Sequence, residues 1–148
     1  MLKGIDPLLN AEVLGVLRAM GHGDMLILSD ANFPTEAVAA ETVHGVPLRI
    51  DRDMPEVGRA VLSVLPLDTF VDDFAARMEV VGDPDAVPEV QAEMQEIIAG
   101  TGETRAMVSI ERFAFYDLAR EAYAVIQTSE RRFYGCFMLR KGVISPDE

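Results

Sequence analysis

The sequence predicts one α/β domain over residues 1–148, with a mixed sheet of about six strands between layers of helices. Helical and strand patterns alternate along the chain, which is typical of α/β proteins. The last two strand patterns are separated only by residues 128–135, too few for a helical crossover, so we expect these strands to be antiparallel. With 148 residues, 49% hydrophobic and 26% charged, the chain has the balance of a single globular domain.

Four helices are predicted from the spacing of apolar residues and from signals at the helix ends. The first, over about 11–20, has Asn10 as its cap, apolar residues at i, i+3, i+4 and i+7, and Gly21 after its end. The other three begin at Asp53–Pro55, at Pro88 and near residue 112, and end before Pro66, at Gly100 and near residue 121.

Six short strands are predicted between and after these helices. The most distinct is Met25–Leu28, a wholly apolar run typical of a strand that is covered on both faces. The remaining strand patterns are Leu48–Ile50, Met78–Val81, Ala106–Ile110, Tyr123–Gln127 and Cys136–Leu139.

Charge and composition exclude several classes of protein. The chain has 13 Lys and Arg residues against 25 Asp and Glu residues, a formal net charge of −12, which disfavours binding to nucleic acid or to anionic membranes. No apolar run approaches the roughly 18 residues of a membrane span, and Asp6 and Pro7 interrupt any signal-peptide pattern at the amino terminus. One cysteine, Cys136, allows no internal disulfide. We therefore expect a cytoplasmic protein without nucleic-acid or membrane partners.

Two polar segments flank the first strand and are candidates for chemistry. In residues 21–24, His22 stands between two glycines, which favours an exposed imidazole that can exchange a proton near neutral pH. The alternative is a helix end followed by an ordinary solvated loop. In residues 29–34, Asp30 and Asn32 place a carboxylate and an amide after the strand, either as a binding edge or as a turn that bonds its own backbone.

Two further segments lie near the carboxyl-terminal strands. Arg112 has a fork of donors suited to a carboxylate or to neighbouring hydroxyls, and the aromatic residues at 113–116 could contact a sugar or belong to the core. The segment 131–136 has a basic pair and then Tyr134-Gly135-Cys136. Since Cys136 opens an apolar strand, we expect it to be buried and unreactive.

Known cofactor and metal motifs are missing from the chain. It has no glycine-rich dinucleotide motif, no phosphate-binding lysine loop, no paired-cysteine motif and no zinc-protease motif. The two histidines, His22 and His44, form no cluster with carboxylates at metal-ligand spacing. We expect neither a metal nor a cofactor.

Together these four segments resemble the L-fucose mutarotase branch of the family that also contains D-ribose pyranase. They stand in that family's order and spacing, and the resemblance covers essentially the whole chain. It implies an enzyme that interconverts the anomers of a free pyranose, assembled as a homo-decamer of stacked pentameric rings. It also implies His22 as the catalytic residue, and substrate binding by Asp30, Arg112, Tyr134, Gly135 and Cys136.

The sequence departs from the family pattern at two places. Ala31-Asn32 stands where the fucose branch commonly has alanine-histidine, and Cys136 replaces the usual asparagine. A thiol is a weaker hydrogen-bonding group than an amide, so a side-chain contact to the sugar would differ, whereas a contact made by the backbone would change little. Two alternatives stay open: a non-catalytic sugar-binding or transport-associated protein, which does not need His22, and a ribose pyranase.

The spacing of His22 and Asp30 in the sequence predicts how far apart their side chains lie in one subunit. They flank the same strand, and four residues of strand alone extend about 13 Å. Within one subunit the two side chains should therefore lie at opposite ends of the strand. Either the turns at Gly23 and Ala31 fold back strongly, or a site shared between neighbouring subunits brings the two side chains together. We favour the shared site, which would make oligomerisation a condition of activity.

Overall fold

A computed structural model describes residues 1–148 and contains one six-stranded sheet and five helices. The helices are α1 (Ala11–Ala19), α2 (Thr35–Ala39), α3 (Met54–Leu62), α4 (Glu89–Ala99) and α5 (Arg112–Arg120). The strands are β1 (Met25–Ser29), β2 (Leu48–Ile50), β3 (Ala75–Met78), β4 (Val108–Ile110), β5 (Ala124–Thr128) and β6 (Phe137–Arg140). Their order across the sheet is β2-β5-β1-β6-β3-β4.

β6 is the one strand that runs against the others. It pairs antiparallel with β1 on one side and with β3 on the other, whereas all other pairs are parallel. The predicted mixed sheet is confirmed, and β5 and β6 run in opposite directions as expected, although β1 lies between them. Because β6 is reversed, its first residue lies at the same edge of the sheet as the last residues of β1 and β3.

Alternating side chains of the central strands pack into two separate cores. Leu26 and Leu28 of β1 join the larger core, which α1, α3 and α4 cover, while Ile27 joins the smaller core beneath α2 and α5. Successive strand side chains point to opposite faces, so a strand that is apolar at every position needs cover on both sides. The helix layers on both faces confirm the predicted α/β architecture.

Short-range signals define the starts of two helices. The Asn10 side chain accepts a hydrogen bond from the Val13 amide at 3.0 Å, and the Asp53 side chain accepts one from the Glu56 amide, also at 3.0 Å. Each satisfies a backbone donor that has no partner within the helix. Both predicted caps are confirmed.

Two predicted strands have other bounds in the structure, and one helix was not predicted. The strand expected at Met78–Val81 is Ala75–Met78, and the strand expected from Ala106 begins at Val108. The sequence Ala-Ala-Arg-Met has little intrinsic strand preference, and it is pairing with β4 and β6 that makes it a strand. The five-residue helix α2 was not predicted, because no side chain caps it and its apolar stripe is short.

None of the helices has the length and apolar character needed to cross a membrane.

Candidate active site

A pocket of about 270 Å³ opens at the edge of the sheet where β1 and β3 end and β6 begins. Ligand sites of α/β sheets commonly lie at strand ends, in the loops that follow. Its lining residues are Asp30, Asn32, Phe33, Met78, Arg112, Tyr116, Phe133, Tyr134 and Cys136. Four of the residues predicted to bind substrate therefore meet in one place, although they come from three distant segments of the chain.

Asp30 provides the buried acidic group of this pocket. Only 6% of the residue is exposed, and burial raises the pKa of its carboxyl above the usual range. Hydrogen bonds from the Asn32 amide, at 2.9 Å, and from the Cys136 thiol act in the opposite direction. The turn that the sequence allowed as an alternative does form, and it aims the carboxylate into the pocket. In this position Asp30 can accept hydrogen bonds from hydroxyl groups of a ligand.

Arg112 stands at the exposed side of the pocket with most of its donors available. Its Nε donates to the Tyr116 hydroxyl at 3.2 Å, and its guanidinium lies 5.7 Å from the Phe113 ring centre. The fork can therefore reach a ligand while the aromatic neighbours restrain it. Of the three aromatic residues in this segment, Phe115 is the one that belongs fully to the core, with no exposed surface. Tyr116 lines the pocket and was not among the predicted site residues, although its segment was.

Tyr134 and Gly135 form a tight bend over the pocket. Tyr134 has a φ of 60°, the single non-glycine residue of the chain in the left-handed region. A Cβ at Gly135 would lie 3.0 Å from Cγ of Glu130 and 3.6 Å from Cβ of Asp30. The close approach of the chain to Glu130, and to the Arg132 carbonyl oxygen at 3.3 Å, therefore favours glycine at position 135, which is a structural role beside the predicted substrate contact.

Cys136 is buried as predicted, with 1% of its surface exposed. Burial, and then the nearby charge of Asp30, raise the pKa of its thiol well above the usual value. A thiol that stays protonated is a poor nucleophile. Cys136 also lines the pocket beside Asp30, so it can influence ligand binding through shape and through its hydrogen bond to the carboxylate.

Thiol labelling tests this description of Cys136. Native protein should react with an aromatic disulfide reagent at least about 100-fold more slowly than protein unfolded in urea, because reaction needs local opening. The unfolded chain should release one equivalent of thiolate, which serves as the control for a free cysteine. Rapid, stoichiometric labelling of the native protein would contradict the burial of Cys136.

His22 lies outside this pocket, at the opposite edge of the sheet. It precedes β1, whereas Asp30 follows it, so the strand separates the two side chains as the sequence predicted. His22 Nε2 lies 3.0 Å from Oδ2 of Asp68, and the imidazole packs edge-to-face on Phe70 with the ring centres 5.7 Å apart. The His22 side chain is 45% exposed and that of Asp68 only 3%. This edge therefore presents a histidine that a buried carboxylate orients.

Asp68 is a candidate functional residue that sequence reasoning missed. The end of β6 brings it to His22: the Gly23 amide donates to the Lys141 carbonyl at 2.8 Å, and the Asp68 amide donates to the Arg140 carbonyl at 3.0 Å. An ionised carboxylate only accepts hydrogen bonds, so Asp68 favours the tautomer with hydrogen on Nε2 and leaves Nδ1 as the basic nitrogen. The 46 residues between His22 and Asp68 carry no local signal for this pair.

Comparisons with known proteins identify the family. The model of the RbsD / FucU transport protein family matches residues 3–144. The chain belongs to this family. A fucose mutarotase of Danio rerio is 41% identical over 153 residues, covering 100% of this chain and 97% of that protein. The family predicted from the four sequence segments is therefore confirmed.

Solved structures of family members have the same fold. A protein with a suggested sugar-binding role has a TM-score of 0.95 and 54% identity, covering 98% of this chain and 97% of its own. The fucose mutarotase of Streptococcus pneumoniae, solved in complex with L-fucose, has a TM-score of 0.86 and 33% identity, covering 97% of this chain and 100% of its own. Members of this family thus include an enzyme that binds a free monosaccharide.

Proposed function

We propose that this protein is a mutarotase that interconverts the anomers of L-fucose or a similar free pyranose, with His22 as its acid–base group. Full-length similarity to fucose mutarotases confirms the enzyme class predicted from the sequence, an isomerase acting on a monosaccharide. The observation that carries the proposed site is the meeting of Asp30, Arg112, Tyr134 and Cys136 in one pocket.

The reaction needs only proton transfers and correct positioning. A proton is delivered to the ring oxygen and another is removed from the anomeric hydroxyl, which opens the ring to the aldehyde. Rotation of the aldehyde and the reverse transfers close the ring as the other anomer, with no net change in atoms or electrons. General acid–base catalysis by a group with a pKa near neutrality suits these steps. No redox or group-transfer chemistry is involved, so the proposal includes no cofactor.

Five residues at the two ends of β1 then have chemical roles in this reaction. His22, oriented by Asp68, exchanges the protons of ring opening and closure. Asp30 accepts hydrogen bonds from sugar hydroxyls, and Arg112 donates to them. Tyr116 offers an aromatic surface to the apolar C–H side of the sugar.

The proposed enzyme is a homo-oligomer in which one subunit completes the pocket of its neighbour. This arrangement is supported by the strand that separates His22 from Asp30 in one chain. It is also supported by exposed aromatic rings at both edges: Phe70 beside His22 is 71% exposed, and Phe133 at the pocket rim is 75% exposed. Burying such rings between subunits is favourable. We propose a decamer of stacked pentameric rings, the assembly that the family resemblance implies, in the cytoplasm.

Saturation-transfer NMR on free sugars tests the proposed activity. We expect the protein to accelerate exchange between the α and β anomer signals of L-fucose, with smaller effects on D-ribose, D-galactose and L-rhamnose. Buffer and heat-denatured protein are the controls, because water alone catalyses slow mutarotation. Binding of sugars without acceleration would support the non-catalytic alternative, and preferential acceleration of ribose exchange would support a ribose pyranase.

A further inference from the structure

Gln91 is a buried polar residue on the inner face of α4. Its neighbours on that face, Val90, Met94 and Ile98, belong to the apolar core. Gln91 is polar but is buried like them, with no exposed surface. Burying an amide is unfavourable unless its polar atoms are all hydrogen-bonded. An apolar residue would satisfy the helix pattern at this position, so the amide calls for a specific explanation.

Its three hydrogen bonds supply that explanation. Nε2 donates to the Met78 carbonyl at 2.7 Å and to the Tyr134 carbonyl at 3.1 Å. Oε1 accepts from the Arg77 guanidinium at 3.0 Å. Met78 and Tyr134 line the Asp30 pocket and belong to two different segments of the chain. The Gln91 side chain therefore connects the two segments by hydrogen bonds to the backbone of each.

Of these two pocket residues, Tyr134 is the one whose backbone needs the hydrogen bond from Gln91. Its φ of 60° is disfavoured for a residue with a large side chain, by an amount comparable to one or two hydrogen bonds. Such a conformation persists only where the surroundings hold it. Gln91 holds the Tyr134 carbonyl, and the Val81 amide donates to the Tyr134 hydroxyl at 3.3 Å.

We propose that Gln91 is a positioning residue of the active site, which keeps Tyr134 in the left-handed conformation required for sugar binding. This rests on the proposed function. Without the Gln91 donors, Tyr134 relaxes to negative φ in the free protein, and only a fraction of molecules remains ready to bind. Apparent affinity falls by that fraction, whereas a sugar that has bound meets the same reacting groups.

Two substitutions test the donors separately from packing. Gln91→Met keeps the length of the side chain and removes all hydrogen bonds, while Gln91→Glu keeps the shape and an acceptor for Arg77 but removes the amide donors. Both should raise the KM for L-fucose about ten-fold and change kcat by less than about two-fold. If the methionine variant fails to fold, the glutamate variant carries the test alone.

Gln95→Met is the matched control. Gln95 lies one turn further along α4 and makes two hydrogen bonds. Its Nε2 donates to the Arg105 carbonyl at 3.0 Å, and its Oε1 accepts from the Met107 amide at 2.8 Å. Neither partner lines the pocket. Loss of these hydrogen bonds should also reduce stability but leave KM unchanged, which separates a positioning role from a structural one.

Hydrogen–deuterium exchange of the free protein provides a readout that does not depend on catalysis. Residues 131–136 should exchange faster in both Gln91 variants and at the wild-type rate in Gln95→Met. Unchanged exchange in this segment together with an unchanged KM would overturn the proposal, as would a loss of kcat at constant KM. If the wild-type protein binds fucose without accelerating anomer exchange, the proposed catalysis fails, and the dissociation constant replaces KM in the same comparison.

Discussion

Replacing His22 with alanine should lower the rate of protein-catalysed anomer exchange at least about 100-fold, while the protein remains folded. His22 is the one imidazole near the proposed chemistry, and imidazole is the side chain that can both give and take a proton near neutral pH. The His22 side chain is 45% exposed, and its one hydrogen-bonding partner in the chain is Oδ2 of Asp68. The other carboxylate oxygen of Asp68, Oδ1, accepts from the Phe70 amide and keeps that partner when His22 is replaced. We therefore expect the melting temperature to fall by no more than about 3 °C.

The matched control is His44→Ala. His44 is the second histidine of the chain and lies in the loop before β2, where its amide donates to the Tyr123 carbonyl at 2.8 Å. It does not line the Asp30 pocket, and β5 separates the strand that follows it, β2, from β1, so its removal should leave the exchange rate unchanged. Saturation-transfer NMR measures the rates, and calorimetry or circular dichroism checks the fold. A folded His22→Ala protein with the wild-type exchange rate would contradict the assignment of His22.

Mixing two inactive variants should restore part of the activity. His22→Ala subunits retain Asp30, and Asp30→Ala subunits retain His22. If each pocket takes these residues from neighbouring chains of a ring, random mixing in equal amounts gives about a quarter of pockets with both groups. The expected recovery is therefore about a quarter of the wild-type activity.

The mixing experiment needs two controls. Native mass spectrometry of isotopically labelled subunits verifies that the chains have exchanged, and a mixture of His22→Ala with the doubly substituted chain should stay inactive. Verified exchange without recovery would exclude the shared pocket and leave the oligomer in place. A stable and fully active monomer in analytical ultracentrifugation would exclude the proposed assembly itself.

Elements with strong local signals were predicted well. The caps Asn10 and Asp53 and the apolar run in β1 depend on neighbouring residues in the sequence, and each formed as expected. The β3 strand was misplaced because its residues have weak intrinsic preference. Their conformation depends on hydrogen bonds to β4 and β6, which lie 30 or more residues away along the chain.

The candidate site divides in the same way. Asp30, Arg112, Tyr134 and Cys136 could be chosen from the sequence because they stand in recognisable segments, and the separation of His22 from Asp30 follows from strand length alone. Asp68 and Gln91 could not be chosen, since an aspartate in a loop and a glutamine in a helix are ordinary residues locally. Their significance arises from partners 46 and 43 residues away.

By itself, the sequence determined the α/β class, the main helix ends, the acidic surface and the kinds of side chain available for sugar chemistry. These properties depend on composition and on short-range periodicity, which each segment carries wherever it lies in the fold. The tertiary structure alone decided that β1 lies between β5 and β6, and that the reversed β6 joins Asp30 to Cys136 at one edge and His22 to Asp68 at the other. Strand order results from the packing of the whole chain, and no local pattern encodes which distant residues a reversed strand brings together.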